Sequence, residues 1–173
     1  MDRSALLARG AEEAGAGRLA AAEATYRSML GDAEALSNLG AVLNIAERHE
    51  AAEAACRAAL AAQPDYWAAL GNLGTALHHQ QRHDEAVAAY VAALHSNPCN
   101  PDACTNLGVA LAEQWRMPDS LAFHEIAVTL APGHAEMRCN RVVCVAAGRE
   151  LQAASAAQKP GRLPSVIAGT RGR

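Results

Sequence analysis

Asparagine recurs at Asn38, Asn72 and Asn106, each inside an Asn-Leu-Gly triplet and each 34 residues after the last. A side-chain amide carries one acceptor and two donors, matching the C=O and N–H of an extended peptide. A row of such amides can grip backbone without reading sequence. The other residues with chemical potential make weaker patterns. Cys99/Cys104 and Cys139/Cys144 are each separated by four residues, at the limit of zinc-knuckle spacing and without the compact knuckle. His79 and His83 stand at the i, i+4 spacing that can chelate on one helix. A helix end is expected before His83, however, and no carboxylate cluster completes a ligand set beside His78, His79 and His83, so these read as solvated surface. No Ser/His/Asp order, Gly-rich phosphate loop or pair of catalytic carboxylates stands out. The expectation is a non-enzyme with no catalytic residue, no metal and no cofactor.

Two further series share the 34-residue spacing: Pro64, Pro98 and Pro132, and Ala59, Ala93 and Ala127. A fixed period of this length means stacked supersecondary units, none of which buries its apolar face alone. Within each unit a first series, such as Leu70, Leu73, Gly74 and Leu77, runs i, i+3, i+4, i+7, one face of an α-helix. After a polar break a second series, such as Ala86, Tyr90, Ala93 and Leu94, repeats that spacing and stops shortly before a proline, which cannot continue a helix. Asn100-Pro101-Asp102 reads as an N-cap, a proline at the first helical position and an acid at the positive helix end. Met117-Pro118-Asp119 opens a second helix in similar fashion. Glycines 40, 74 and 108, with Ala52 and Ala86, fall where paired helices meet and let the backbones approach.

This pattern resembles the tetratricopeptide repeat. Leu70, Leu73-Gly74, Leu77, Ala86, Tyr90, Ala93 and Pro98 carry the likeness most fully, and Leu39-Gly40, Ala52, Ala59, Pro64 and Leu107-Gly108, Ala127, Pro132 repeat it. Gly10, Gly17, Ala22, Tyr26 and Leu30 fit a first repeat lacking about four residues at its end. The resemblance implies an all-α, right-handed helix-turn-helix solenoid. Its divisions are a degenerate repeat over 1–32, repeats over 33–66, 67–100 and 101–134, a degenerate terminal repeat or capping helix over 135–158, and a disordered tail over 159–173. The glycine usual between the two helices is replaced by Glu47, Gln81 and Trp115. Those turns are therefore strained by roughly 1–2 kcal/mol each or built differently. Leu or Cys stands where the first helix usually has a large aromatic, so the core should be shallow. Cys56 and Cys104 fall at core positions, and His124 replaces the second-helix aromatic as a packed histidine.

In this family first helices line the concave groove, and at about 100° per residue the Asn row lies opposite the Leu-Gly face. Asn38, Asn72 and Asn106 are thus the candidate peptide-gripping residues, with Thr75, His79 and Thr105 tuning the groove; the alternative is that the asparagines only order the turns between repeats. The groove face of the intact repeats carries no Lys or Arg, which disfavours an acidic tail as partner. Trp115 is a further candidate contact for a partner, because an exposed aromatic on a turn can act as an anchor, unless it folds back on its helix pair. Trp67 is expected to wedge between repeats.

The implied function is a non-catalytic scaffold for a protein or extended peptide, with self-association a further possibility. The Asn row and the run MRCNRVVCVAAGRE also look like the N-terminal repeats of bacterial glycosyltransferases related to the O-linked N-acetylglucosamine transferase family. The alternative is therefore a truncated substrate-recruiting arm of such an enzyme.

Composition narrows the partners. Hydrophobic residues make up 51% of the 173 but aromatics only 3%, a mix that suits closely packed helices better than sheet. Residues 1–148 carry 10 Arg against 17 acids, a net −7, and residues 149–173 five bases against one acid, a net +4. A mildly acidic repeat region argues against nucleic acid or an anionic membrane. Five cysteines without a close pair, no signal-like start and no apolar run of about 20 residues predict a cytoplasmic protein. The break after Arg149 and the single lysine, Lys159, suggest an ending that is not ancestral.

Overall fold

The computed structural model describes residues 2–134, together with Asn140 and Val145. Its regular structure over 2–134 is helical throughout: α1 (Arg3–Gly15), α2 (Leu19–Arg27), α3 (Ala33–Ile45), α4 (His49–Ala62), α5 (Trp67–His79), α6 (His83–Ser96), α7 (Pro101–Glu113) and α8 (Met117–Leu130). No strand occurs among the described residues. Each helix packs on the next, and α3 also packs on α5, so helical hairpins stack into an all-α solenoid. The terminal repeat expected over 135–158, the tail over 159–173 and the pair Cys139/Cys144 lie outside the described residues, apart from Asn140 and Val145, which are helical and half-buried.

The odd-numbered helices α3, α5 and α7 start 34 residues apart, and α4, α6 and α8 each end two residues before a proline. Asn100 caps α7, its Oδ1 accepting from the Asp102 and Ala103 N–H groups at 3.1 Å, with Pro101 opening the helix. Asp32 caps α3 by accepting from the Ala35 N–H at 3.0 Å. Arg116 stands at the N-cap of α8 without a side-chain cap, as Arg48 and Arg82 do at α4 and α6, and Pro118 lies in the first turn. The first hairpin is short, α2 having 9 residues where α4, α6 and α8 have 14.

One contact repeats inside every hairpin. A Cβ built on Gly10, Gly40, Gly74 or Gly108 would run into the side chain sixteen positions on, which is Tyr26, Cys56, Tyr90 or His124 respectively. At Gly74 it would lie 2.6 Å from the Tyr90 ring, and at Gly108 2.7 Å from the His124 ring. All four knobs are buried. The surrounding core is mostly alanine with a few leucines, including Leu39, Leu43, Leu73, Leu77, Leu107 and Leu111, as the shortage of aromatics leads one to expect.

The turns take the strained solution. Glu47, Gln81 and Trp115 adopt φ of 57°, 63° and 60°, the left-handed region that Gly17 occupies at 73° in the first hairpin. In each turn the next residue's N–H closes on the carbonyl three residues inside the helix end: Arg48 on Leu43 at 2.9 Å, Arg82 on Leu77 at 3.0 Å, Arg116 on Leu111 at 2.9 Å. This is a Schellman cap, which calls for a left-handed residue whatever its type. Those arginines also tie repeats together. Arg48 reaches Glu23 at 2.8 Å, and Arg82 reaches Glu53 at 2.8 Å. Burial would raise the Glu53 carboxyl, but hydrogen bonds from Arg57, Gln80 and Arg82 outweigh it and hold it below the usual range. At the equivalent of Glu53 in the next repeat stands Val87, and Arg116 pairs instead with Asp119 on its own helix at 2.8 Å.

Two expectations follow. Glu47→Gly should stabilise the chain by about 1 kcal/mol, the relief of left-handed strain less the extra freedom of glycine in the unfolded state, read as a higher urea midpoint. His124 concerns acid. Burial holds His124 and His78 below the ordinary histidine value, so below an unfolded-state pKa of about 6.5 the unfolded chain binds protons that the folded chain refuses. Their stabilising contribution is complete above that pH and is lost as pH falls toward the depressed folded values. His124 Nδ1 is moreover buried without a hydrogen-bond partner. His124→Phe, keeping a ring against Gly108, should raise the melting temperature at neutral pH and flatten its decline between about pH 7 and pH 5, with His78 supplying the remaining slope.

Candidate functional site

The three asparagines have different surroundings on the face shared by α3, α5 and α7. Asn38 is half-buried and its side chain hydrogen-bonds the Tyr26 hydroxyl. Asn72 reaches back to the preceding hairpin, its Nδ2 donating to the Ser37 carbonyl at 3.0 Å and the Ser37 hydroxyl at 3.3 Å. Its backbone carbonyl accepts from Asn44 Nδ2 at 2.9 Å. Asn106 is also half-buried, but its amide has no partner among the described residues. It lines a shallow cleft of about 130 Å³ between α5 and α7, together with Trp67, Gly71, Asn72, Thr75, Asn100 and Asp102. Asp102 is the only formal charge in that lining.

The residues expected to tune the groove divide in the same way. Thr75 borders the cleft, its hydroxyl donating to the Gly71 carbonyl at 3.2 Å and accepting from Tyr90 at 3.2 Å. Burial pushes the Tyr90 phenol up to about 12, with the Thr75 bond opposing the shift. Thr105 is buried and donates to the Pro101 carbonyl of its own helix at 2.9 Å. His79 is exposed and stacks flat on His49, ring centres 4.5 Å apart. Trp67 keeps 41% of its surface exposed and forms one wall of the cleft, rather than sitting wedged between repeats. Trp115 is 73% exposed on its turn and does not fold back on its helix pair.

The histidines are not the open surface that the sequence suggests. His78 and His83 are half-buried, and a carboxylate absent from their own hairpin arrives from the end of α7: Glu113 Oε2 lies 3.6 Å from His78 Nδ1 and 3.5 Å from His83 Nδ1. Burial pushes His78 below its ordinary value; Glu113 opposes this, and His79 and His83 add to it. The one hint in the sequence was positional, since Glu113 falls one period after His79. Of the cysteines among the described residues, Cys56 and Cys104 are buried, Cys99 is exposed, and all three are free. Burial pushes the Cys56 thiol up to about 12. No helix among the described residues is long and apolar enough to cross a membrane.

Comparison with known proteins places this arrangement. Among solved structures the chain is similar to PilF of Pseudomonas aeruginosa, with a TM-score of 0.76 and 22% identity over 92% of this chain and 77% of that one. MamA matches with a TM-score of 0.70 and 18% identity, covering 91% of this chain and 90% of its own. YrrB, described as a TPR protein with an unusual peptide-binding site, gives 0.64 and 22% over 86% and 78%. At such identities these likenesses speak for the fold alone. No curated protein sequence matches. The family model described as tetratricopeptide repeat matches residues 46–101 and 81–135. Covering more than half of the sequence on a stack of helical hairpins closed by Gly–knob contacts, that match makes the chain a member of the tetratricopeptide repeat family.

Proposed function

We propose that the chain is a non-catalytic scaffold that binds an extended protein segment on the concave face formed by α3, α5 and α7. The observation that carries this reading is the cleft between α5 and α7, where the accessible Trp67 ring faces a groove that also holds the unpartnered amide of Asn106. An aromatic wall supplies apolar contact, and an amide beside it offers both donors and an acceptor to a peptide group. Asn72 borders the same cleft, with Thr75 beside it and His79 further along α5. In this reading Asn38 and Thr105 extend the row at its margins, and Trp115 gives a separate contact at the turn edge. With Asp102 as the sole charge, the cleft suits a neutral or basic segment better than an acidic one. The peptide-binding site in the description of YrrB is in keeping with such a role. In the alternative reading the same asparagine row is the substrate-recruiting arm of an O-GlcNAc-transferase-like glycosyltransferase, and it makes the same demand on Asn106.

Asn72 also fastens α5 to α3, so it is a poor lone probe of binding. Asn72→Ala should cost about 1 kcal/mol of stability through the bonds to Ser37, whereas Asn106→Ala should leave the urea midpoint nearly unchanged. Peptides selected from a random phage-displayed library on the intact chain should bind Asn106→Ala roughly fivefold or more weakly in fluorescence anisotropy. A library that yields no binder, or affinities indifferent to both Asn106→Ala and Trp67→Ala, would refute the proposal.

A further inference from the structure

We propose that His78, His83 and Glu113 form a three-donor site for a divalent transition-metal ion of the zinc type, bridging α5, α6 and α7. Their donor atoms lie within 4.8 Å of one another. A tetrahedral ion with bonds of about 2.0–2.1 Å sets its donors roughly 3.3 Å apart. The two His–Glu separations, 3.6 and 3.5 Å, are already close to that spacing and too long for good hydrogen bonds. Both Nδ1 atoms are shielded from water and have no hydrogen-bond partner. A buried ring nitrogen without a partner is costly, and here two of them face one carboxylate oxygen.

At His83 a neighbour on the far side of the ring favours one tautomer. His83 Nε2 lies 3.2 Å from Gln81 Oε1, an atom that only accepts. With the ring proton on Nε2, the Nδ1 lone pair points toward Glu113. A lone pair and a carboxylate oxygen repel, and a cation between them turns the same atoms into ligands. Two imidazoles with one carboxylate favour zinc, nickel or copper over magnesium or calcium. The Glu113 side chain is 46% exposed, so the site is open to water or to a donor brought by a partner, as three-ligand zinc sites are.

One period earlier the same corner of the solenoid is built from Asn44, His49 and His79. There His79 stacks on His49, and His49 Nδ1 lies 3.5 Å from Asn44 Oδ1. None of those three side chains is a carboxylate. Replacement of Asn44 and His79 by their counterparts His78 and Glu113 converts it into a set of two nitrogens and one oxygen on the same backbone.

The test titrates Zn2+ into the full chain by calorimetry and records the visible spectrum with Co2+. The expected result is one saturable Zn2+ site of roughly micromolar Kd, and a Co2+ spectrum without a sulfur-to-metal band, which sets the exposed Cys99 aside. Glu113→Gln and His83→Ala should each weaken Zn2+ roughly tenfold or more, with the far-ultraviolet circular dichroism unchanged. Should His83→Ala unfold, Glu113→Gln, isosteric and half-exposed, decides alone. Absence of saturable binding overturns the proposal, and so does binding indifferent to Glu113→Gln, which would place the ion elsewhere.

Discussion

Everything in this solenoid hangs on the close approach of two helices at a glycine. In each hairpin the backbone of the first helix at Gly10, Gly40, Gly74 or Gly108 lies directly against a knob on the second, leaving no room for a methyl group. The knob itself varies between tyrosine, thiol and imidazole, so the constraint rests on the glycine rather than on its partner. With so few aromatics and so much alanine, this contact is what brings the small side chains of the core within van der Waals range. At Gly108 the contact is reinforced by the Ser120 hydroxyl, which donates to the Gly108 carbonyl at 2.6 Å.

Once the hairpin geometry is set, the turn has little choice. Helices brought this close must be joined by a short turn, and the Schellman closure that achieves it demands a left-handed residue. Glu47, Gln81 and Trp115 adopt that conformation at a cost the helix contacts offset. After two of these turns the next residue, Arg48 or Arg82, reaches a carboxylate of the preceding hairpin. The Glu23 and Glu53 bridges make a ladder that ends at Val87. Exposed ion pairs contribute little individually; the half-buried Glu53, held by Arg57, Gln80 and Arg82 together, is the strongest joint.

The period made the scaffold legible. Asn-Leu-Gly, the prolines and the alternating apolar series locate the helices, because they report contacts within one 34-residue unit. What stayed hidden depends on contacts between units. The three asparagines look equivalent in the sequence, yet Asn72 finds both a carbonyl and a hydroxyl at Ser37, whereas the residue in that place for Asn106 is Gly71, which has no side chain to offer. Glu113 could not be paired with His78 and His83 without knowing that the end of α7 comes alongside the turn between α5 and α6. Trp67 opens α5, and that its exposed ring borders a cleft toward α7 is evident only once the repeats are stacked.

These differences have a common logic. A repeat scaffold fixes backbone positions by the residues it cannot change, here the glycines, the buried alanines and the left-handed turns. Positions that the scaffold does not use are free to differ from one hairpin to the next, and they recur at predictable places. The asparagine position and the corner at the helix ends are two such places. In both, one copy is occupied by internal packing, at Asn72 and at His49/His79, while the following copy presents an unpartnered polar group, at Asn106 and at His78/His83. Asn106 lines the cleft between α5 and α7, and His78 and His83 meet Glu113 where α5, α6 and α7 come together. The two proposed sites thus share one inter-repeat junction, the one where the arginine–glutamate ladder gives way to Val87.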